Sequence, residues 1–161
     1  MVESAFGEDV DRLIEELFRA VEERGCTIST AESLTGGQLA AAIAAAPQAG
    51  RWFRGGIVAY HPEVKYDLLE APRGPVVTPE TAAAMARSAV ELLGGEYSVA
   101  LTGVGGPEPS EGHPPGTVYL ASYGGAAEPT ISLHRFGGRP VEVMEQTIKA
   151  ALNELIARIR E

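Results

Sequence analysis

A single cysteine, Cys26, is all the thiol this chain has, and it stands at the start of an apparent strand. One thiol cannot close an internal disulfide, so it is read as a small buried hydrophobe in a reducing cytoplasm. The three histidines are scattered and no Cys/His cluster accompanies them, which argues against a structural metal site. Positive charge is scarce too: 13 Lys and Arg stand against 22 Asp and Glu, a net −9. That balance does not suit the phosphate backbone of nucleic acid, which wants a basic face. No apolar run approaches the roughly 20 residues that span a bilayer. Glu3, Glu8 and Asp9 break the basic-then-apolar pattern of a signal peptide. The expectation is a cytoplasmic protein with neither a nucleic-acid nor a membrane partner.

What is present is an ordinary core. At 161 residues and 45% hydrophobic, the chain is expected to form one domain, 1–161. Val10, Leu13, Ile14, Leu17, Phe18 and Val21 make a helical stripe that Gly25 stops. A strand over 26–30 and an alanine-rich helix from Gln38 to Ala46 follow, closed by Pro47. Ile57 to Tyr60 reads as a short buried strand, broken by His61-Pro62, with a helical turn from Glu63 to Leu69. Thr78-Pro79-Glu80 opens a helix that Gly94-Gly95 ends. Tyr97–Leu101 and Thr117–Tyr123 are strands. Ile131, Leu133 and Phe136 alternate with polar residues as in an antiparallel edge strand with its apolar side inward. A last helix, 140–160, turns Met144, Ile148, Leu152, Leu155 and Ile159 inward. This order predicts an α/β fold, a three-layer α/β/α sandwich around a mixed sheet.

Ligands of such sheets collect beyond the strand ends, which marks loops 31–37, 60–66 and 102–117. In Ala31-Glu32-Ser33-Leu34-Thr35-Gly36-Gly37, two hydroxyls stand where a strand meets a helix, beside backbone N–H groups that favour an oxyanion. The same spacing also fits Ser33 or Thr35 as a simple N-cap. Gly103-Val104-Gly105-Gly106-Pro107-Glu108 lacks the last glycine of a dinucleotide fingerprint and runs into proline, and no Walker lysine exists. Its amides suit a carboxylate, phosphate or oxyanion. Ser33 is the natural nucleophile. His61 is a possible base by position. Lys65 is another, since a desolvated lysine can lose its proton and activate a serine; the competing reading is a solvated surface lysine.

These runs, with Gly55-Gly56-Ile57-Val58-Ala59-Tyr60 and Pro115-Gly116-Thr117-Val118, resemble the family of CinA C-terminal domains, in order from about residue 10 to 160. Members are nicotinamide-nucleotide amidohydrolases, which convert nicotinamide mononucleotide to nicotinate mononucleotide and ammonia. The resemblance is to the stand-alone form, without the molybdopterin-binding-like domain of longer relatives. It implies Ser33 as nucleophile with Tyr60, Lys65 and Thr102 around it, and no cofactor or metal. Thr35, Gly36, Gly37, Gly103, Gly105, Gly106 and Arg139 are the implied substrate-binding residues for a small nucleotide; a homo-oligomer is compatible.

The chain also departs from the family pattern. Leu34 replaces the usual cysteine, and glycine replaces a common alanine at 105. The family's Gly-Asp-Arg stretch, followed four residues later by arginine, aligns with Gly138-Arg139-Pro140 and Met144. The stretch between Lys65 and Thr78 is shorter than usual. An amidase and a non-catalytic ligand- or protein-binding module linked to competence or recombination are therefore both carried forward.

Overall fold

The computed structural model describes residues 4–161; Glu3 lies outside them. The amphipathic α1 (Glu8–Arg24) buries Val10, Ile14, Leu17, Ala20 and Val21 and ends on Gly25, whose φ of 67° is the left-handed conformation glycine adopts without strain. β1 (Ile28–Glu32) runs two residues past the predicted end and is buried throughout, because it lies between two other strands.

The sheet has five strands in the order β2-β1-β3-β4-β5, with β2 (Phe53–Val58), β3 (Tyr97–Gly103), β4 (Thr117–Gly124) and β5 (Ala127–Arg135). β1 pairs parallel with β2 and β3; the β3–β4 and β4–β5 pairs are antiparallel. The mixed α/β arrangement is as predicted. α1, the short α2 (Gln38–Ala44) and α6 (Pro140–Ile159) pack on one face with Ile28, Val99, Leu101, Val118 and Leu120. On the other, α5 (Pro79–Leu93) seats Ala82, Met85, Ala86 and Ala89 on Ala31, Ala100 and Ala121, an all-alanine floor that brings helix and sheet close. Thr78 caps α5 by accepting the Thr81 N–H at 3.1 Å.

Two sequence expectations need correction. β2 begins at Phe53 and ends at Val58, whereas the apolar cue placed it at 57–60. Its pairing is carried by backbone, and Gly56 permits the approach: a Cβ there would stand 2.5 Å from Thr30 Oγ1. Tyr60 consequently lies beyond the strand and is 70% exposed. In β5 the alternation is right but its phase is inverted. Ile131 and Leu133 are exposed, while Ser132 and His134 turn toward Glu154 of α6. That carboxylate gives the polar side a partner the strand sequence could not reveal. In α6, Val143 takes the fully buried place expected of Met144.

The connections position the site. β1 leads to β2 through α2 and the one-turn α3 (Ala49–Trp52). β2 leads to β3 through α4 (Pro62–Asp67) and α5 on the opposite face. The carboxyl ends of β1 and β3 thus flank a topological switch point, where open α/β sheets form their crevice.

Candidate active site

Ala31 pairs with Ala100 of β3 and with Ile57 of β2. Ser33 follows directly on the end of β1, and Thr102 lies two residues beyond Ala100 in β3, so both stand at the carboxyl ends of neighbouring parallel strands. A cleft of about 220 Å³ opens there, lined by Ser33, Leu34, Tyr60, the 103–106 backbone, Glu108 and Ser110. Ser33 is buried, yet its hydroxyl makes no hydrogen bond to the described residues.

The residue that organises this corner is Glu32. Wholly buried, its carboxylate accepts the Leu39 N–H at 2.9 Å, the Ala40 N–H at 3.0 Å and the Thr35 hydroxyl at 2.6 Å. A carboxylate thus occupies the N-terminus of α2, where N–H groups and the positive dipole end stabilise it. This excludes the simple N-cap reading. The N-cap position is Gly37, at φ 100°, with no side-chain cap bond from either Ser33 or Thr35. It also corrects the expectation of a free helix end for an oxyanion. Glu32 takes two of those amides, and the Thr35 hydroxyl is turned to Glu32 rather than to a ligand. The amides of Leu34, Thr35 and Gly37 make no hydrogen bond to the described residues; that of Gly36 goes to the Ser33 carbonyl at 3.0 Å. A carboxylate seven residues ahead of the amide it caps falls outside the local capping pattern, so the sequence reading assigned Glu32 no role.

The second loop is trimmed in the same way. Val104 N–H bonds to the Thr117 carbonyl at 2.8 Å, and the amides of Gly105 and Gly106 after it make no such bond among the described residues. The Thr102 hydroxyl donates to the Val76 carbonyl at 2.8 Å, tying the segment before α5 to the end of β3.

Lys65 is not a surface lysine. It is 2% exposed, and its Nζ makes a single hydrogen bond, to the Tyr60 carbonyl at 3.1 Å. Burial lowers its pKa from 10.5 to about 8, against the opposing pull of the Glu111 carboxylate. No hydrogen bond joins it to Ser33; Tyr60, whose carbonyl receives Nζ, is also among the residues that line the cleft. The histidines do other things. His61 caps α4 by accepting the Glu63 N–H at 3.2 Å, and His113 lies edge-on to Tyr119. His134 meets Ser132 and Glu154 through the same Nε2, which rules out a relay through its ring.

Arg139 stands outside the cleft. It is the N-cap of α6, its side chain 79% exposed, with Nε 2.6 Å from Glu142. That guanidinium holds the Glu142 carboxyl below its usual range. The link to the cleft is Pro140, which a Cβ at Gly106 would reach at 3.9 Å. Among the described residues no basic side chain lines the cleft, and Glu108 does. Among the described residues there is no cluster able to hold a metal ion, and no helix is long and apolar enough to cross a membrane.

Comparison with known proteins gives this corner its context. The model of the CinA C-terminal domain matches residues 10–159. A Halalkalibacterium halodurans protein named for competence-damage induction is 32% identical over 96% of this chain, which covers 38% of that relative. A similarly named protein of Desulforamulus reducens is 36% identical over 91% of the chain and 37% of its own length. The chain therefore spans under two-fifths of these curated relatives. The crystal structure of a competence/damage inducible protein from Agrobacterium tumefaciens superposes with a TM-score of 0.92 at 29% identity, covering 99% of this chain and 100% of the other. A CinA superfamily protein from Escherichia coli gives 0.88 at 30%, covering 96% and 93%. On the family match and these identities, the chain belongs to the CinA C-terminal domain family.

Proposed function

We propose that this protein hydrolyses the carboxamide of nicotinamide mononucleotide, giving nicotinate mononucleotide and ammonia. The observation that carries the reading is a serine at the cleft whose hydroxyl makes no hydrogen bond to the described residues; a buried lysine, bonded to the carbonyl of the cleft residue Tyr60 and with its pKa lowered by burial to about 8, supports it. Ser33 Oγ attacks the carboxamide carbon while neutral Lys65 takes the hydroxyl proton. The tetrahedral oxyanion is held by amides of the 34–37 or 105–106 backbone. Collapse expels ammonia, with the proton returned from Lys65, and leaves an ester on Ser33. Water activated by the same amine then hydrolyses that ester and frees the carboxylate. In this scheme Tyr60 and Thr102 position the base and the loops, through the carbonyl that receives Nζ and the bond to Val76. The phosphate reaches out of the cleft toward the α6 N-terminus and Arg139.

One observation favours the second reading, a non-catalytic module. The cleft carries Glu108 and no cation, and Arg139 is engaged with Glu142. An ammonia-release assay with nicotinamide mononucleotide decides between them. Turnover that disappears in Ser33→Ala supports the amidase. Neither turnover nor binding by the unaltered protein would overturn it in favour of the module.

A further inference from the structure

The stretch 105–113 gives the cleft Gly105, Gly106, Glu108 and Ser110. Its two ends are tied to the sheet. Val104 donates to the Thr117 carbonyl at 2.8 Å and accepts the Gly116 N–H at 2.7 Å, and the Thr117 hydroxyl donates to the Pro114 carbonyl at 2.8 Å. Between the ends lies a small hairpin. Ser110 N–H donates to the His113 carbonyl at 3.1 Å, and His113 N–H to the Ser110 carbonyl at 2.8 Å. The two residues at its tip, Glu111 and Gly112, have φ of 52° and 79°. Positive φ at both is the requirement of a type I′ turn, whose first position favours asparagine, aspartate or glycine. Glutamate is strained there, and such strain persists where surrounding structure over-determines it.

What over-determines it is a pair of amides on another segment. The Glu111 carboxylate accepts the Val76 N–H with both oxygens, at 3.0 and 2.9 Å, and the Val77 N–H at 2.8 Å. Val76 and Val77 are buried, and the Val76 carbonyl receives the Thr102 hydroxyl at 2.8 Å. Side chains therefore hold Val76 from two directions, one from the end of β3 and one from the hairpin. Among the described residues, these carboxylate bonds are the only hydrogen bonds from 105–113 to the rest of the protein. A side chain serving the turn alone would be short. One that must cross to Val76 needs the reach of glutamate.

We propose that Glu111 is the latch of the cleft wall: its carboxylate fastens 105–113 to the Val76–Val77 segment and so fixes Gly105, Gly106, Glu108 and Ser110 where a ligand meets them. The proposal rests on the reading above in taking this cleft as the substrate site. Glu111 is a positioning residue, acting through the wall it holds. Hydrogen bonds to a carboxylate are the strong kind, and without them a stretch tied only at its ends opens at low free energy.

Two amide side chains separate the latch from the turn. Glu111→Asn suits the turn better than glutamate but falls one methylene short of the Val76 and Val77 amides. Glu111→Gln keeps the reach and one carbonyl acceptor and gains nothing in the turn. In 15N-labelled protein without ligand, the Val76 and Val77 amides of Glu111→Asn should exchange about tenfold faster or more, as expected when a hydrogen bond to a charged group is lost. The heteronuclear NOEs of Gly105, Gly106 and Ser110 should fall with them. Glu111→Gln should lie between this variant and the unaltered protein. Exchange and NOEs in Glu111→Asn that match the unaltered protein, or show a tighter wall, would overturn the proposal, because the turn alone would then account for the residue. If Glu111→Asn does not fold, Glu111→Gln decides: faster exchange supports the latch and unchanged exchange overturns it. With nicotinamide mononucleotide as the probe, kcat/KM per folded molecule should fall in the same order, most in Glu111→Asn. An undiminished kcat/KM in a variant whose wall has loosened would overturn the link from latch to cleft. If the unaltered protein neither turns over nor binds the nucleotide, the amidase reading fails, and the exchange and NOEs still decide the latch.

Discussion

Among the described residues two cationic side chains are buried, and their surroundings could hardly differ more. Arg158, 3% exposed on α6, spends its guanidinium on the β4–β5 turn. It donates to the carbonyls of Gly124, Ala127 and Glu128 and to the Thr130 hydroxyl, at 2.8 to 3.2 Å. Lys65, 2% exposed on α4, has a single bond, to one carbonyl. A planar fork can saturate a ring of carbonyls and become a fixture of the fold, whereas a compact ammonium with two spare protons cannot. The under-satisfied cation is the one whose charge is labile, and it lies beside the cleft. The saturated one lies at the far end of β4. This contrast separates an ion fixed by the fold from one with protons to spare without reference to any relative.

The largest expected effect comes from the serine proposed to act with the labile cation. Ser33→Ala should remove nearly all amidase activity with little change in melting temperature, because the hydroxyl makes no hydrogen bond whose loss would be felt. Turnover retained by a folded Ser33→Ala protein would displace Ser33 as nucleophile. Lys65→Met should follow, with kcat reduced by about 10²- to 10⁴-fold, the usual contribution of a general base. Lys65→Arg should be nearly as poor, since guanidinium keeps its proton. An active Lys65→Arg variant would show that only charge is wanted and would erase the contrast with Arg158.

Arg158→Met should invert this pattern. It strips the partner from several turn carbonyls at once, and each buried polar group left unsatisfied costs about 1–3 kcal/mol. A loss of about 3 kcal/mol or more in denaturant-measured stability is expected, with unchanged turnover per folded molecule. Lys65→Met should be neutral or stabilising in the same experiment. A larger loss of stability at Lys65 than at Arg158 would reverse the assignment of roles.

The architecture was legible in the sequence because it rests on long-period signals. The α1 stripe, the Thr78-Pro79 start, the Gly25 and Gly94 stops and the element order each report burial or backbone geometry directly. Ser33, Tyr60 and the glycine loop at 103–106 were legible too, and the structure brings them to one cleft. What escaped was set by partners distant in sequence. Glu32 satisfies amides seven and eight residues away, Glu111 reaches back 34 and 35 residues, and the phase of β5 depends on Glu154, 20 residues beyond His134. The Glu111-Gly112 dipeptide was the one local hint of a turn, muted because glutamate is rare at that position. β2 was misplaced because its start, Phe53 to Gly56, pairs through backbone with little side-chain signature.

Arg139 supplies a third, exposed cation against which to judge the buried pair. If it clamps the substrate phosphate, Arg139→Ala should weaken nucleotide binding by about 1.5–3 kcal/mol, the range for hydrogen bonds to charged groups. The dephosphorylated riboside should bind nearly as before. Its pairing with Glu142 is solvent-exposed, so stability should change by less than about 1 kcal/mol. Equal losses with both ligands, measured by calorimetry, would make Arg139 a cap of α6 and nothing more.

The gentlest prediction concerns pH, and it bears on Lys65 alone. With a pKa of about 8 in the folded protein, roughly one molecule in ten carries the neutral amine at pH 7. Activity should therefore rise about tenfold from pH 6 to pH 7 and level off above about 8. Stability has a definite sign as well. The folded value lies below the 10.5 of the unfolded chain, so between about 8 and 10.5 the unfolded state binds the additional proton. Stability contributed by this site should climb as pH rises through that window, by at most about 1.4 kcal/mol per pH unit, and stay flat below it. Lys65→Met should abolish that slope, while Arg158→Met should leave it intact. A slope that survives in Lys65→Met would mean that another group titrates there, and that Lys65 is no more labile than the arginine it is contrasted with.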